Sequence, residues 1–144
     1  MADSSIRIEG EQLSLSTAGD GDIIDITSDI QSVLSKLKMK KGVVTCFIPG
    51  STAFLTVIEY ESGLIHDLPQ LLEKLVPKKG KYAHNATWGD GNGFSHLRAS
   101  LIGPSLSIPF REGKLTLGIW QQIIFVECDN RSRQRSVELQ FIGI

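Results

Sequence analysis

Apolar residues recur along this chain in two periods, and the switches between them divide it into short elements. Residues 6–15 alternate weakly between apolar and polar, and residues 22–26 form a short apolar run, so both are predicted as strands. Ile30, Val33, Leu34 and Leu37 then fall at helical spacing. Ser28-Asp29-Ile30-Gln31, a capping-box pattern, opens that helix and Gly42 closes it. Residues 42–48 and 53–60 are rich in β-branched and aromatic side chains and read as buried strands, joined through the polar turn Pro49, Gly50, Ser51, Thr52. Asp67 is placed to cap a second helix at Leu68-Pro69. Leu68, Leu71, Leu72 and Leu75 share one face of it, and Pro77 and Gly80 end it.

The second half begins with a glycine-rich loop from His84 to His96 and a short helix capped by Ser95 and stopped at Gly103. Residues 105–110, 114–120, 122–128 and 133–142 are predicted strands of an antiparallel meander. Strands outnumber helices and come in hairpin-spaced groups. The expected fold is therefore α+β, an antiparallel β-sandwich or sheet covered by two or three helices, and a doubly wound parallel sheet does not fit.

With 144 residues and 41% hydrophobic content the chain reads as one domain over residues 1–144, large enough to bury a core without disulfides. A formal net charge of −1 argues against general nucleic-acid binding. No apolar run reaches the roughly 20 residues of a membrane span and the amino terminus carries no export pattern, so the expectation is a cytoplasmic protein that meets neither nucleic acid nor membrane. Cys46 and Cys128 fall in apolar strands without a CxxC partner and are read as reduced structural thiols.

The loop concentrates the candidate chemistry. It holds two of the chain's three histidines, His84 and His96, with Asp90 between them, and imidazole and carboxylate are ligands of catalytic divalent metals. The same spacing also suits a strand-capping His84 and a surface His96. A place in the first turn of a helix would keep the His96 ring neutral, able to bind metal or accept a proton. Ser51 and Thr52 offer hydroxyls and turn N–H groups that could cradle a phosphate, though Pro-Gly-Ser-Thr is also an ordinary turn. Arg131, Arg133 and Arg135 leave one face of an extended segment together; they make either a diphosphate-binding strip or a solvated hairpin edge, with Glu127 or Glu138 available to neutralise one of them. Glu59, Glu61, His66 and Asp67 form a polar cluster between an apolar strand and the second predicted helix, in which Glu59 and Asp67 are candidates for a general base, Asp67 also being a natural cap.

Ser95-His96-Leu97-Arg98-Ala99-Ser100-Leu101-Ile102-Gly103-Pro104, continuing to Pro109 and from Gly113 through Gly118-Ile119-Trp120-Gln121 to Glu127, closely resembles the YjbQ family. Tyr82-x-His84, Asp90-x-Asn92 and the terminal arginines belong to the same likeness, which covers about residues 6–144. Members of that family are described as secondary thiamine-phosphate synthases. The resemblance implies an α+β sandwich assembled as a homotrimer, with a metal site near subunit boundaries to which His84 and His96 belong. Many bacterial members carry a further histidine in a His-Thr-Ser-Ala motif. This chain has Gly50-Ser51-Thr52-Ala53 there, as in archaeal relatives, so Asp90, His66, water or a neighbouring subunit would complete the coordination.

On this reading the first expectation is an enzyme that joins hydroxymethylpyrimidine diphosphate to thiazole phosphate and releases pyrophosphate. A divalent metal, zinc or magnesium, would sit on His84, Asp90 and His96; Arg133 and Arg135 would hold one phosphorylated group and Ser51 and Thr52 the other. The alternatives are a non-catalytic trimer that binds a metal or phosphorylated metabolite, and a metal-dependent hydrolase using Glu59 or Asp67 as base.

Overall fold

The computed structural model describes residues 5–144. It is α+β: two antiparallel sheets face one another, one of four helices covers the other face of the smaller sheet, and the outer face of the larger sheet is exposed. The elements run β1 (Arg7–Thr17), β2 (Ile23–Asp25), α1 (Thr27–Leu37), β3 (Lys41–Phe47), β4 (Ala53–Ile58), α2 (Ser62–Leu75), α3 (Ala83–Trp88), α4 (Gly93–Ile102), β5 (Ser105–Arg111), β6 (Lys114–Leu115), β7 (Gln122–Glu127) and β8 (Arg133–Gly143). One sheet has the order β1-β8-β3-β5-β6 and the other β2-β7-β4.

Strand β7 explains the layering. Its run Ile123-Ile124-Phe125-Val126 is apolar at every position, as expected of a strand covered on both faces. Ile123 and Phe125 join the core between the sheets with Val44, Phe110, Leu139 and Phe141, while Ile124 and Val126 join Phe54 and Leu72 beneath α2. The small sheet is thus the middle layer. Full burial of one such side chain contributes about 1.5–3 kcal/mol, so the two faces of β7 tie three layers together. Because β7 belongs to this inner sheet and β8 returns to pair with β1 and β3, the carboxyl half is not the expected meander. Only β5 and β6 form a local hairpin.

Several boundaries differ from the sequence pattern for local reasons. The Ser28–Gln31 capping box does not form: α1 starts at Thr27, whose N–H donates to the Asp25 carboxylate at 3.0 Å and whose hydroxyl accepts the Ile123 N–H at 2.8 Å. Gln31 instead bridges to β6, donating to Gly113 O and accepting from Leu115 N. The helix stops at Lys38, which takes a left-handed φ of 55°, well before Gly42. Helix α2 starts five residues before Asp67, because the Glu61 carboxylate caps it by accepting the Gly63 and Leu64 N–H groups. Pro69 therefore lies inside the helix and Asp67 is an exposed helical residue rather than a cap.

The predicted strand 114–120 shrinks to Lys114–Leu115; a turn held by the Gln121 side chain on Gly118 N–H then leaves Ile119 and Trp120 exposed. Cys46 and Cys128 are buried and free, and burial pushes both thiols up to about 12. None of the described helices is long and apolar enough to cross a membrane.

Candidate functional site

The segment read as a loop is two short helices hinged at glycines. Gly89 (φ 71°) and Gly91 (φ 68°) supply left-handed backbone that reverses the chain between α3 and α4. The helices then close tightly at Gly93, where an added Cβ would lie 2.6 Å from Tyr82 Cβ and 2.9 Å from Asn85 Oδ1. The Gly93 N–H donates to that Asn85 oxygen at 2.8 Å. This approach brings the rings of His84, on α3, and His96, on the first turn of α4, to 4.4 Å between centroids at 53°. Helix α4 begins after Asn92, so Ser95 is not its cap; it lies wholly buried in the first turn, and its hydroxyl has no hydrogen-bond partner among the described residues.

Behind the histidines runs a buried polar network. His84 Nε2 lies 3.1 Å from Asn92 Oδ1, and Asn92 Nδ2 donates to Asp129 Oδ1 at 3.3 Å. The other oxygen of Asp129 accepts from Arg133 Nε at 2.7 Å and from the Thr52 hydroxyl at 3.2 Å. Arg135 donates to Thr52 Oγ1 and chelates Glu127, which also accepts from the Thr17 hydroxyl. Both carboxylates are fully buried. Burial alone would raise the Asp129 carboxyl, but hydrogen bonds from Arg133, Asn92 and the Asn130 N–H outweigh it and hold the group below the usual carboxylate range. The Glu127 hydrogen bonds raise Arg135 above its ordinary value against the opposing effect of burial.

His96 titrates below its ordinary value because it is partly desolvated and stands beside His84, with Asp129 and Asp90 opposing the shift. Its ring edges two open clefts. One, of about 420 Å³, is lined mainly by apolar groups and includes Gly50, Ser51, Ala53, Leu97 and Pro104. The other, of about 410 Å³, lies against Tyr82, Ala83, His84 and Gly93.

The structure joins most of the sequence-derived candidates. His84, Thr52, Arg133 and Arg135 are linked through Asn92, Asp129 and Glu127, Ser51 shares the apolar cleft with His96, and Asp90 Oδ1 stands 3.6 Å from His84 Nε2. The arginines differ from the expected strip. Arg131 precedes β8 and is exposed, whereas Arg133 and Arg135 lie on the same side of β8 as core residues Val137 and Leu139 and are paired with two buried carboxylates. The Thr52 hydroxyl is likewise committed within the network. Glu59 and Asp67 lie apart. Glu59 lines a cleft with Asp25, Tyr60 and Trp120, and Asp67 pairs with His66 on the exposed side of α2.

Asp129 and Asn92 are the members that residue patterns do not single out as chemistry. A signal was present: acids at 127 and 129 end an apolar strand, and arginines follow at 133 and 135, so each acid has a partner once β7 and β8 are packed.

As a metal centre the donor set is partial. Two adjacent imidazoles suit zinc better than magnesium, which prefers oxygen ligands. No three His, Cys, Asp or Glu side chains converge at metal-binding distances among the described residues, so two imidazoles with Asp90 at the rim are what one chain supplies.

A family model described as UPF0047 protein YjbQ-like matches residues 11–144. A UPF0047 protein of Methanothermobacter thermautotrophicus is 38% identical over 138 residues, 96% of this chain and 94% of that protein. Among solved structures, a YbjQ-like protein of unknown function from Sulfolobus solfataricus P2 superimposes with a TM-score of 0.91 at 29% identity, covering 97% of this chain and all of that one. A hypothetical protein from Aeropyrum pernix K1 gives 0.83 at 32% identity, over 93% and 99% of the two chains.

Proposed function

The chain belongs to the YjbQ-like UPF0047 family, and from that premise we propose that it is a metal-assisted enzyme acting on phosphorylated heterocycles, a secondary thiamine-phosphate synthase. The observation that carries the reading is the His84–His96 pair, with ring centroids 4.4 Å apart, His96 at the edge of an apolar cleft and His84 braced by buried charge. Two imidazoles presented side by side at a surface cleft serve ligation or proton transfer, and the apolar wall beside them suits the flat ring of a pyrimidine or thiazole.

In this reading His84 and His96 hold a divalent metal, zinc in preference to magnesium, while Asp90 stands at the rim beside the Nε2 edge of His84. When bound, that ion supplies positive charge where the leaving diphosphate develops negative charge. His96, disposed to stay neutral, keeps a nitrogen lone pair available for ligation or proton transfer. Ser51 lies on the same cleft and offers a hydroxyl to the second phosphate. Arg133 contributes through the one-third of its side chain that stays exposed, while Arg135 and Thr52 hold the Asp129 side of the network in place. Glu59 and Asp67 have no part in this arrangement.

The working unit is proposed to be a homotrimer located in the cytoplasm. What supports assembly is the outward face of β1, β8 and β3, where Ile8, Ser14, Thr45, Phe47, Gln140 and Ile142 make a nearly uncharged surface. A partner copy would also be a source of the donors that one chain lacks.

The test is chromatographic detection of thiamine phosphate from the two purified half-substrates, with and without divalent metal, for wild type and His96→Ala. Metal-dependent product from wild type alone is the expected result. Absence of product from the wild type moves the assignment to a metabolite- or metal-binding protein, a reading favoured by the internal neutralisation of Arg133 and Arg135. Phosphate released from a single substrate would instead make it a hydrolase.

A further inference from the structure

Asn92 has a side chain with two unlike ends, and its surroundings allow only one orientation. At 5% exposure it lies between Asp129 Oδ1 at 3.3 Å and His84 Nε2 at 3.1 Å. An ionised carboxylate only accepts hydrogen bonds, so the Asn92 NH₂ must face Asp129 and its carbonyl oxygen must face the histidine. Asp129 cannot turn away, because the same oxygen accepts the Asn130 N–H at 2.8 Å and the other is held by Arg133 at 2.7 Å. A carbonyl oxygen accepts only, so the proton of that contact belongs to His84 Nε2. Asp90 Oδ1, 3.6 Å from the same nitrogen, is a second acceptor on that side.

We propose that Asn92, oriented by the buried Asp129, is a positioning residue that locks neutral His84 in its Nε2–H form, so that Nδ1 is the nitrogen offered to a metal or to a substrate proton. The arrangement is the hydrogen-bonded support that ligating histidines commonly have, with one amide inserted between imidazole and carboxylate. It assigns Asp90 Oδ1 to the N–H side of the ring. It also explains the use of asparagine at a buried position between an arginine-paired acid and a histidine: a second carboxylate there would repel Asp129, and an apolar residue would take a hydrogen-bond partner from both polar neighbours. The choice of Nδ1 as metal ligand rests on the metal reading above, whereas the lock itself does not.

The test is a long-range ¹H–¹⁵N correlation spectrum of full-length, metal-free protein labelled at histidine nitrogen, at a pH where His84 is neutral, followed by the same protein loaded with ¹¹³Cd²⁺. The expected result is a protonated Nε2 and unprotonated Nδ1 for His84, an Hε2 signal protected from exchange, and cadmium coupling to Nδ1. In Asn92→Ala the Hε2 protection should be lost and the Nδ1–H form should rise, with Asn92→Gln restoring part of the effect. A metal-free wild type with the proton on Nδ1, or cadmium coupled to Nε2, overturns the proposal. If cadmium does not bind, the metal reading fails while the metal-free spectrum still decides the lock. Should Asn92→Ala not fold, the wild-type spectra alone are decisive.

Discussion

Arg135 and Glu127 form a two-pronged ion pair, Nε to Oε2 at 2.8 Å and Nη2 to Oε1 at 2.6 Å, with the carboxylate at 0% exposure. The pair joins the inner face of β8 to the end of β7 and so spans the two sheets. Its desolvation cost makes it a poor source of net stability, yet removing one partner is expensive because the other charge stays buried.

Arg135→Ala should therefore lower unfolding stability by about 3–5 kcal/mol, a large share of the roughly 5–15 kcal/mol available to a domain. Replacing both partners, as Arg135→Met with Glu127→Gln, should cost much less than the single change. Urea or guanidinium unfolding of the three proteins measures both. A single-variant loss under about 1 kcal/mol would mean that the pair is solvated and does not couple the sheets.

Asp129 is a source of acid sensitivity in the fold. Its folded carboxyl is held below the ordinary value, since the hydrogen bonds from Arg133, Asn92 and Asn130 outweigh burial. A depressed carboxyl contributes stability that is fully present above its unfolded value near ~4 and is lost as pH falls through the folded value. Unfolding free energy should thus decline below about pH 4, and Asp129→Asn, though less stable at neutral pH, should flatten that decline. Equal acid slopes in the two proteins would show that another group controls it.

How far the sequence foretold this arrangement depends on whether the cause is local. The strands and the amphipathic faces of α1 and α2 follow from apolar periodicity, which burial enforces directly. The start of α1 does not, because Thr27 bonds to Ile123, 96 residues away, and overrides a good local cap at Ser28. The start of α2 is missed because Glu61, not Asp67, takes the cap position. At the site, His84 and His96 stand out by chemistry, but the arginines mislead for the opposite reason: their partners Glu127 and Asp129 are near in sequence yet meet them only when β7 and β8 take places in different sheets. Asn92 carries no charge or metal affinity of its own, so its importance is visible only once Asp129 and His84 are seen on either side of it.

The proposed trimer makes a prediction on the outward sheet face. Gln140 sits opposite Gly10 on β1 and Thr45 on β3, near the centre of that surface, with Glu138 the charged neighbour two residues along the same strand face. Gln140→Lys buries a charge if copies meet there and changes nothing if the face is free. Light scattering should show the wild type as a trimer and the variant as monomer at low micromolar concentration, with the far-ultraviolet circular dichroism unchanged. A variant that remains trimeric would place assembly on another surface.

Gly93 links backbone shape to the histidine pair. Its α3-facing side has no room: an added Cβ would stand 2.6 Å from Tyr82 Cβ, a main-chain-proximal atom that cannot swing aside, and 2.9 Å from the oxygen that receives the Gly93 N–H. Gly93→Ala must therefore push α4 away from α3, at a cost of about 1–3 kcal/mol typical of overpacking. Because His84 rides on α3 and His96 on α4, the same displacement widens the 4.4 Å ring separation. Divalent-metal affinity, followed by cobalt absorption or calorimetry, should fall by more than tenfold while the melting temperature drops only by several degrees. If Gly93→Ala binds metal as wild type does, the histidines do not ligate through the close approach of these two helices.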